Sequence, residues 1–136
     1  MSPTLSTRYQ DAAMPMLPMP ISTAYDQRYS CHSCAREHLD RHRDLDERTW
    51  TCLTCHSPVH IELDDGAGNT ALVIRLQAQQ LRADRDFAYL ENDLGQPHAV
   101  LFSEKAYKGG QWLLRLQGYG SLPVEPGHYF NCVNTL

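Results

Sequence analysis

The chain has 136 residues, 42% of them apolar, and a formal charge of −4, which suits one ordinary domain or two small ones and argues against a general phosphate-binding surface. No stretch approaches the roughly 18 consecutive apolar residues of a membrane-spanning helix, and the N-terminus lacks the basic-then-apolar order of a secretory signal. Five cysteines, four of them in two close pairs, fit a reducing cytoplasm better than a disulfide framework.

Residues 1–28 read as a flexible arm rich in Pro and Met, with Met14-Pro15-Met16-Leu17-Pro18-Met19-Pro20 at its centre. Closely spaced prolines remove backbone donors and favour an extended chain, so neither a helix nor a central strand is expected. The alternative to a disordered leader is a docking arm whose Met, Leu and Pro side chains lie in a groove on this chain or on a partner.

Residues 29–63 carry the main chemical signal. Cys31-His32-Ser33-Cys34 is followed 17 residues later by Cys52-Leu53-Thr54-Cys55. This C-x2-C-x17-C-x2-C spacing lets two tight turns present four soft thiolates to one tetrahedral zinc ion. Four ligands from the protein close the site, so the expected metal is one structural Zn2+ with no open position for catalysis. The rival is a pair of redox C-x-x-C motifs, which lack the βαβ setting such chemistry uses. His32, His38, His42, His56 and His60 crowd the same region; His32 or His56 could replace a cysteine as ligand, but four thiolates already saturate the ion. His60-Ile61-Glu62 is half of a zinc-deaminase signature, yet it follows both Cys pairs and no Pro-Cys-x-x-Cys comes after it, which excludes that reading. Thr49-Trp50-Thr51 is β-prone, and Val59 to Leu63 alternates as a strand. Residues 35–48 are a short helix or a long polar loop.

This arrangement of two knuckles resembles the zinc-ribbon family over residues 29–63. The resemblance implies a fold and a metal, and no activity.

Residues 31–70 also hold the whole charge excess. Arg36, Arg41, Arg43 and Arg48 face eight carboxylates there, while the flanking regions balance. Residues 64–69, Asp-Asp-Gly-Ala-Gly-Asn, have turn chemistry and mark a linker.

From residue 70 to 136 the pattern is all-β. Leu72, Ile74 and Leu76 alternate with Val73, Arg75 and Gln77. Residues 78–86 can hold a helical turn, and strands are expected over 87–91, 98–104 (Val100 and Phe102 on one face), 111–117 and 128–133. Five short strands in this order resemble an SH3-like barrel of the KOW or Tudor kind, so the fold class expected is mainly β, a zinc ribbon followed by a small SH3-like β-barrel. Tyr107 and Tyr119 fall on its loops, where an exposed ring can stack on a base or grip a peptide. Cys132 reads as a small buried hydrophobe; a nucleophile would need a base such as His98 or His128 close by. No phosphate loop, nucleophile elbow or H-E-x-x-H occurs.

These features point to a non-enzymatic cytoplasmic protein that binds a protein partner, as an adaptor or small subunit, without membrane attachment or a small-molecule substrate. Nucleic-acid binding through Arg36, Arg41, Arg43, Arg48, Tyr107 and Tyr119 is the alternative, and both module types resemble ones that support it.

Overall fold

The computed structural model describes residues 21–90, 93–106 and 109–133, and the fold is mainly β with the four paired cysteines in its N-terminal part. Most of the expected arm lies outside the described residues. In chain order the strands are β1 (Asp26–Ser30), β2 (Leu45–Asp46), β3 (Thr51–Cys52), β4 (His60–Asp64), β5 (Thr70–Gln77), β6 (Phe87–Ala88), β7 (His98–Lys105), β8 (Trp112–Leu116), β9 (Gly120–Val124) and β10 (Tyr129–Val133), with one 3-10 turn at Ala78–Gln80. Eight of them form one antiparallel sheet in the order β9-β8-β7-β6-β10-β5-β4-β1, and β2 pairs with β3 as a separate hairpin.

The turn at 64–69 joins the two parts as a hairpin tip. The Asp65 side chain accepts from the backbone N–H groups of Ala67 (2.7 Å) and Asn69 (3.1 Å), while Gly66 and Gly68 take the left-handed angles the reversal needs. Asp64 then sits opposite Thr70, and β4 runs antiparallel to β5. The backbone ladder therefore continues from one sequence region into the other.

Beyond the tip, the first strand of the all-β region pairs with the last, β5 with β10, and the others meander between them. The helical turn expected within 78–86 is the short 3-10 segment. Three strands were not expected: β1, which begins at Asp26 inside the expected arm, the short β2, and β9, whose Pro123 stands opposite Leu113. Proline cannot donate to a ladder, and β9 at the end of the sheet meets that restriction. A register shift in β7 separates Val100, opposite Leu116, from Phe102, opposite Arg115. Leu116 is buried and Arg115 exposed, so the bulge puts Phe102 on the outer face, away from Val100.

Two apolar cores result. The first gathers Tyr29, Leu39, Leu45, Trp50, Val59, Ile61, Leu63, Val73 and Leu94 around the buried Cys31 and Cys52. The second holds Ile74, Leu81, Val100, Leu114, Leu116, Phe130 and Cys132. They meet along β5, which gives Val73 to one and Ile74 to the other. Strand β5 is covered on both faces there, and the simple apolar/polar alternation read from its sequence does not hold: Val73, Ile74 and Arg75 are all buried.

Arg75 is the largest fully buried side chain in the described structure. Its guanidinium makes a bidentate pair with Asp26 of β1 (2.7 and 3.0 Å) and donates through Nε to Asn131 Oδ1 of β10 (2.8 Å). Its Cζ lies 4.3 Å from the centre of the Trp50 ring. One buried cation thus bonds strands from both ends of the described chain and stacks on the aromatic centre of the first core.

Candidate metal centre

Each Cys pair is shaped by the same local device. In the first knuckle the N–H of Cys31 donates to Arg36 O (2.8 Å) and that of Arg36 to Cys31 O (3.0 Å). In the second, Cys52 N–H donates to Ser57 O (2.9 Å) and His56 N–H to Cys52 O (2.8 Å). The carbonyl that accepts from the first cysteine lies five positions on each time, and the residue before it turns left-handed: Ala35 at φ 55° and His56 at φ 63°. Neither is glycine, so each knuckle carries a local strain of about 1 kcal/mol or more. Something must hold the turns closed against it.

The turns bring the four sulfurs together. The Sγ atoms of Cys31, Cys34, Cys52 and Cys55 all lie within 4.8 Å of one another. Cys31 and Cys55 are 3.4 Å apart, and Cys34 and Cys52 are 3.9 Å apart. A tetrahedral ion with metal–sulfur bonds of about 2.3 Å requires sulfur–sulfur edges of about 3.8 Å. The donor set fits, and the cluster can hold a metal ion. Cys31 and Cys52 face the core while Cys34 and Cys55 are half-buried at the rim.

Four thiols this close cannot ionise independently. Backbone and hydroxyl hydrogen bonds from Ser57 draw Cys55 down to about 6. Burial raises Cys52, but the N–H groups of Cys55 and Thr54 outweigh it and leave that thiol lowered. Cys34 is pushed up to about 12, first by its hydrogen bond with Cys55, and Cys31 is raised by burial. Two sulfurs thus ionise more readily than a free thiol and the other two less readily. A bound cation removes that conflict by stabilising all four as thiolates.

None of the five histidines belongs to that sulfur set. His32 stacks on His60, with ring centroids 3.5 Å apart and planes at 9°. His42 meets Glu47 at 3.0 Å, and His38 and His56 are exposed.

All four arginines of the suggested recognition set are ion-paired within the first region. Arg41 lies 2.7 Å from Glu47, Arg36 and Arg48 each lie 3.4 Å from Asp44 and Asp46 respectively, and Arg43 is 3.7 Å from Asp40. Tyr119 is 54% exposed at a bend whose two glycines have positive φ, far along the chain from these arginines. Tyr107 lies outside the described residues. Cys132 is fully buried in the second core, donates to Phe130 O (3.4 Å), and has its thiol pushed up by burial. His98 meets the carbonyl of Gln117 (2.8 Å) and His128 packs edge-on against Phe130.

The sequence reading missed the Arg75–Asp26 clamp. Its signal was a single charge inside the apolar run Leu72-Val73-Ile74-Arg75-Leu76, a placement that requires a partner. A second omission is a cleft of about 390 Å3 lined by residues from both sequence regions, among them Ile21, Tyr25, Leu63, Tyr89, Tyr119 and Tyr129. Among the described residues no helix is long and apolar enough to cross a membrane. Comparison with known protein families, characterised proteins and solved structures finds no match.

Proposed function

We propose that the protein is a non-enzymatic, cytoplasmic adaptor or small subunit whose N-terminal part is stapled by one structural Zn2+. The observation that carries this reading is the four-sulfur cluster: its edges suit a tetrahedral thiolate site, and its ligands are complete without a water or substrate. Bound zinc would supply folding free energy, on the order of 10–16 kcal/mol for small structural sites. The chain's own residues would supply recognition. Protein rather than nucleic acid is the preferred partner because Arg36, Arg41, Arg43 and Arg48 are each paired with a neighbouring carboxylate. A phosphate backbone would have to break those pairs in the most acidic region of the molecule.

Three measurements test the reading. Metal analysis of the purified chain should return about one zinc per molecule, and Co2+ substitution should give the absorption bands of a tetrahedral thiolate site. Titration with duplex DNA and single-stranded RNA at low salt should show no binding that rises steeply as salt falls. A strong salt-dependent affinity, lost on substituting Arg36, Arg41, Arg43 and Arg48, would overturn the protein-partner reading in favour of the nucleic-acid one.

A further inference from the structure

The described chain begins at the cleft, since Ile21 and Ser22 form part of its wall. The cavity, about 390 Å3, is within the range of built binding sites. Tyr25, Tyr89, Tyr119 and Tyr129 give it four aromatic faces, and Leu94 and Leu122 add aliphatic ones. Arg75 is the cation in the wall, and its guanidinium is already occupied by Asp26 and Asn131. The cleft therefore suits an uncharged apolar occupant rather than an anion. Aromatic-lined grooves favour proline-rich segments, whose extended helix loses little entropy on docking.

The segment immediately before Ile21 has that chemistry. Residues 14–20 carry no charge, and Pro15 and Pro18 form a P-x-x-P pair. At three residues per turn, a polyproline helix places Pro15 above Pro18, Met16 above Met19 and Leu17 above Pro20. That gives three apolar rows. Met side chains adapt to irregular walls and make favourable sulfur contacts with aromatic rings. We propose that the tyrosine-lined cleft is an intramolecular dock for the chain's own Pro/Met segment at 14–20. Attachment at Ile21 keeps the segment at an effective concentration of roughly millimolar beside the cleft.

The test uses full-length protein with 13C-methyl methionine. The expected result is nuclear Overhauser contacts from the Met16 and Met19 methyls to the Tyr89, Tyr119 and Tyr129 rings, with ring-current-shifted methyl signals. Methyl signals at free-peptide positions, with no such contacts, would overturn the proposal. Contacts that appear only between labelled and unlabelled chains in a mixture would also overturn it, assigning the cleft to a second copy. Removing residues 1–20 should tighten binding of a fluorescent apolar dye about tenfold, and a synthetic 12–21 peptide should reverse this only near millimolar concentration. Equal dye binding with and without the segment would count against docking. Because Tyr119 is exposed, Tyr119→Ala keeps the test independent of folding: the methyl contacts should weaken while the β5 and β10 amide signals stay in place.

Discussion

The two regions of this molecule are held together in different ways. Residues 26–64 use strands of two to five residues, paired charges on the loops and a cluster of four sulfurs. Residues 70–133 use longer ladders around a core of aliphatic and aromatic side chains with one buried thiol. The backbone records the contrast. Of the five described non-glycine residues with positive φ, Ala35, His38, Trp50 and His56 belong to the first region, and only Asp84 belongs to the second. The first region tolerates strained turns because a cross-link can hold them, whereas the second is stabilised by burial along regular strands.

The sharpest way to break this comparison is to remove the proposed metal. Chelation, or Cys34→Ser combined with Cys55→Ser, should cost the first region on the order of 10 kcal/mol of metal-linked stability. Amide exchange should then become fast in β1, β3 and β4 while β7 and β8 stay protected. Simultaneous loss of protection in both regions would show that they are not stabilised separately.

A smaller effect tests what joins them. Arg75→Met leaves the buried Asp26 charge without its cation, with the Tyr29 hydroxyl (2.6 Å) still donating to it, an expected loss of about 3–5 kcal/mol in urea unfolding. The double variant Arg75→Met with Asp26→Leu should recover most of it, since an apolar pair removes both charges from the interior. A double variant no better than the single one would locate the cost in packing against Trp50 instead.

Next comes a prediction of opposite sign. Ala35→Gly and His56→Gly relieve the left-handed strain and should each stabilise the metal-loaded protein by about 0.5–1 kcal/mol, read as a raised unfolding midpoint. Loss of stability in either variant would mean that the side chain contributes more than its turn costs.

The smallest effect is the acid response. Hydrogen bonds hold several carboxyls of the first region and its turn below the ordinary range: Asp44 by the N–H of Asp40, Asp46 by that of Arg48, Glu47 by the Arg41 side chain and Asp65 by the Asn69 side chain. Their folded values lie below their unfolded ones, so their contribution is present above about pH 4–4.5 and is lost as pH falls through the folded values. These groups are half-buried at the surface, and the effect is screened by salt. In metal-loaded protein, these carboxyls should stay ionised by 13C NMR down to about pH 4 at low salt, less so at high salt; ordinary midpoints would rule out the linkage.

Much of the candidate metal centre was legible because cysteine spacing is a local code. Each C-x-x-C turn forms locally, and the β2–β3 hairpin lies in the chain that leads from the first to the second. Strands whose one face is solvated were legible for a similar reason, as Leu114 and Leu116 against Arg115 show. What escaped was set by contacts distant in sequence. The face of β5 that carries Arg75 is polar in sequence and buried in the fold because β1 and Trp50 cover it. Phe102 changed sides through a bulge that no residue announces, and β9 was hidden by Pro123, which is acceptable there because the strand lies at a sheet end. Alternation reports one buried face at a time, and the second core's neighbour supplied the other.

The hairpin tip at 65–69 has a practical consequence. It is solvent-exposed, glycine-containing and bonded mainly to itself, the kind of site where a protease enters first. Cleavage there would cut the chain between its two sequence regions and leave untouched the β4–β5 ladder and the Arg75–Asp26 pair that join them. The nicked protein would then migrate as one particle under native conditions and as two fragments only after denaturation.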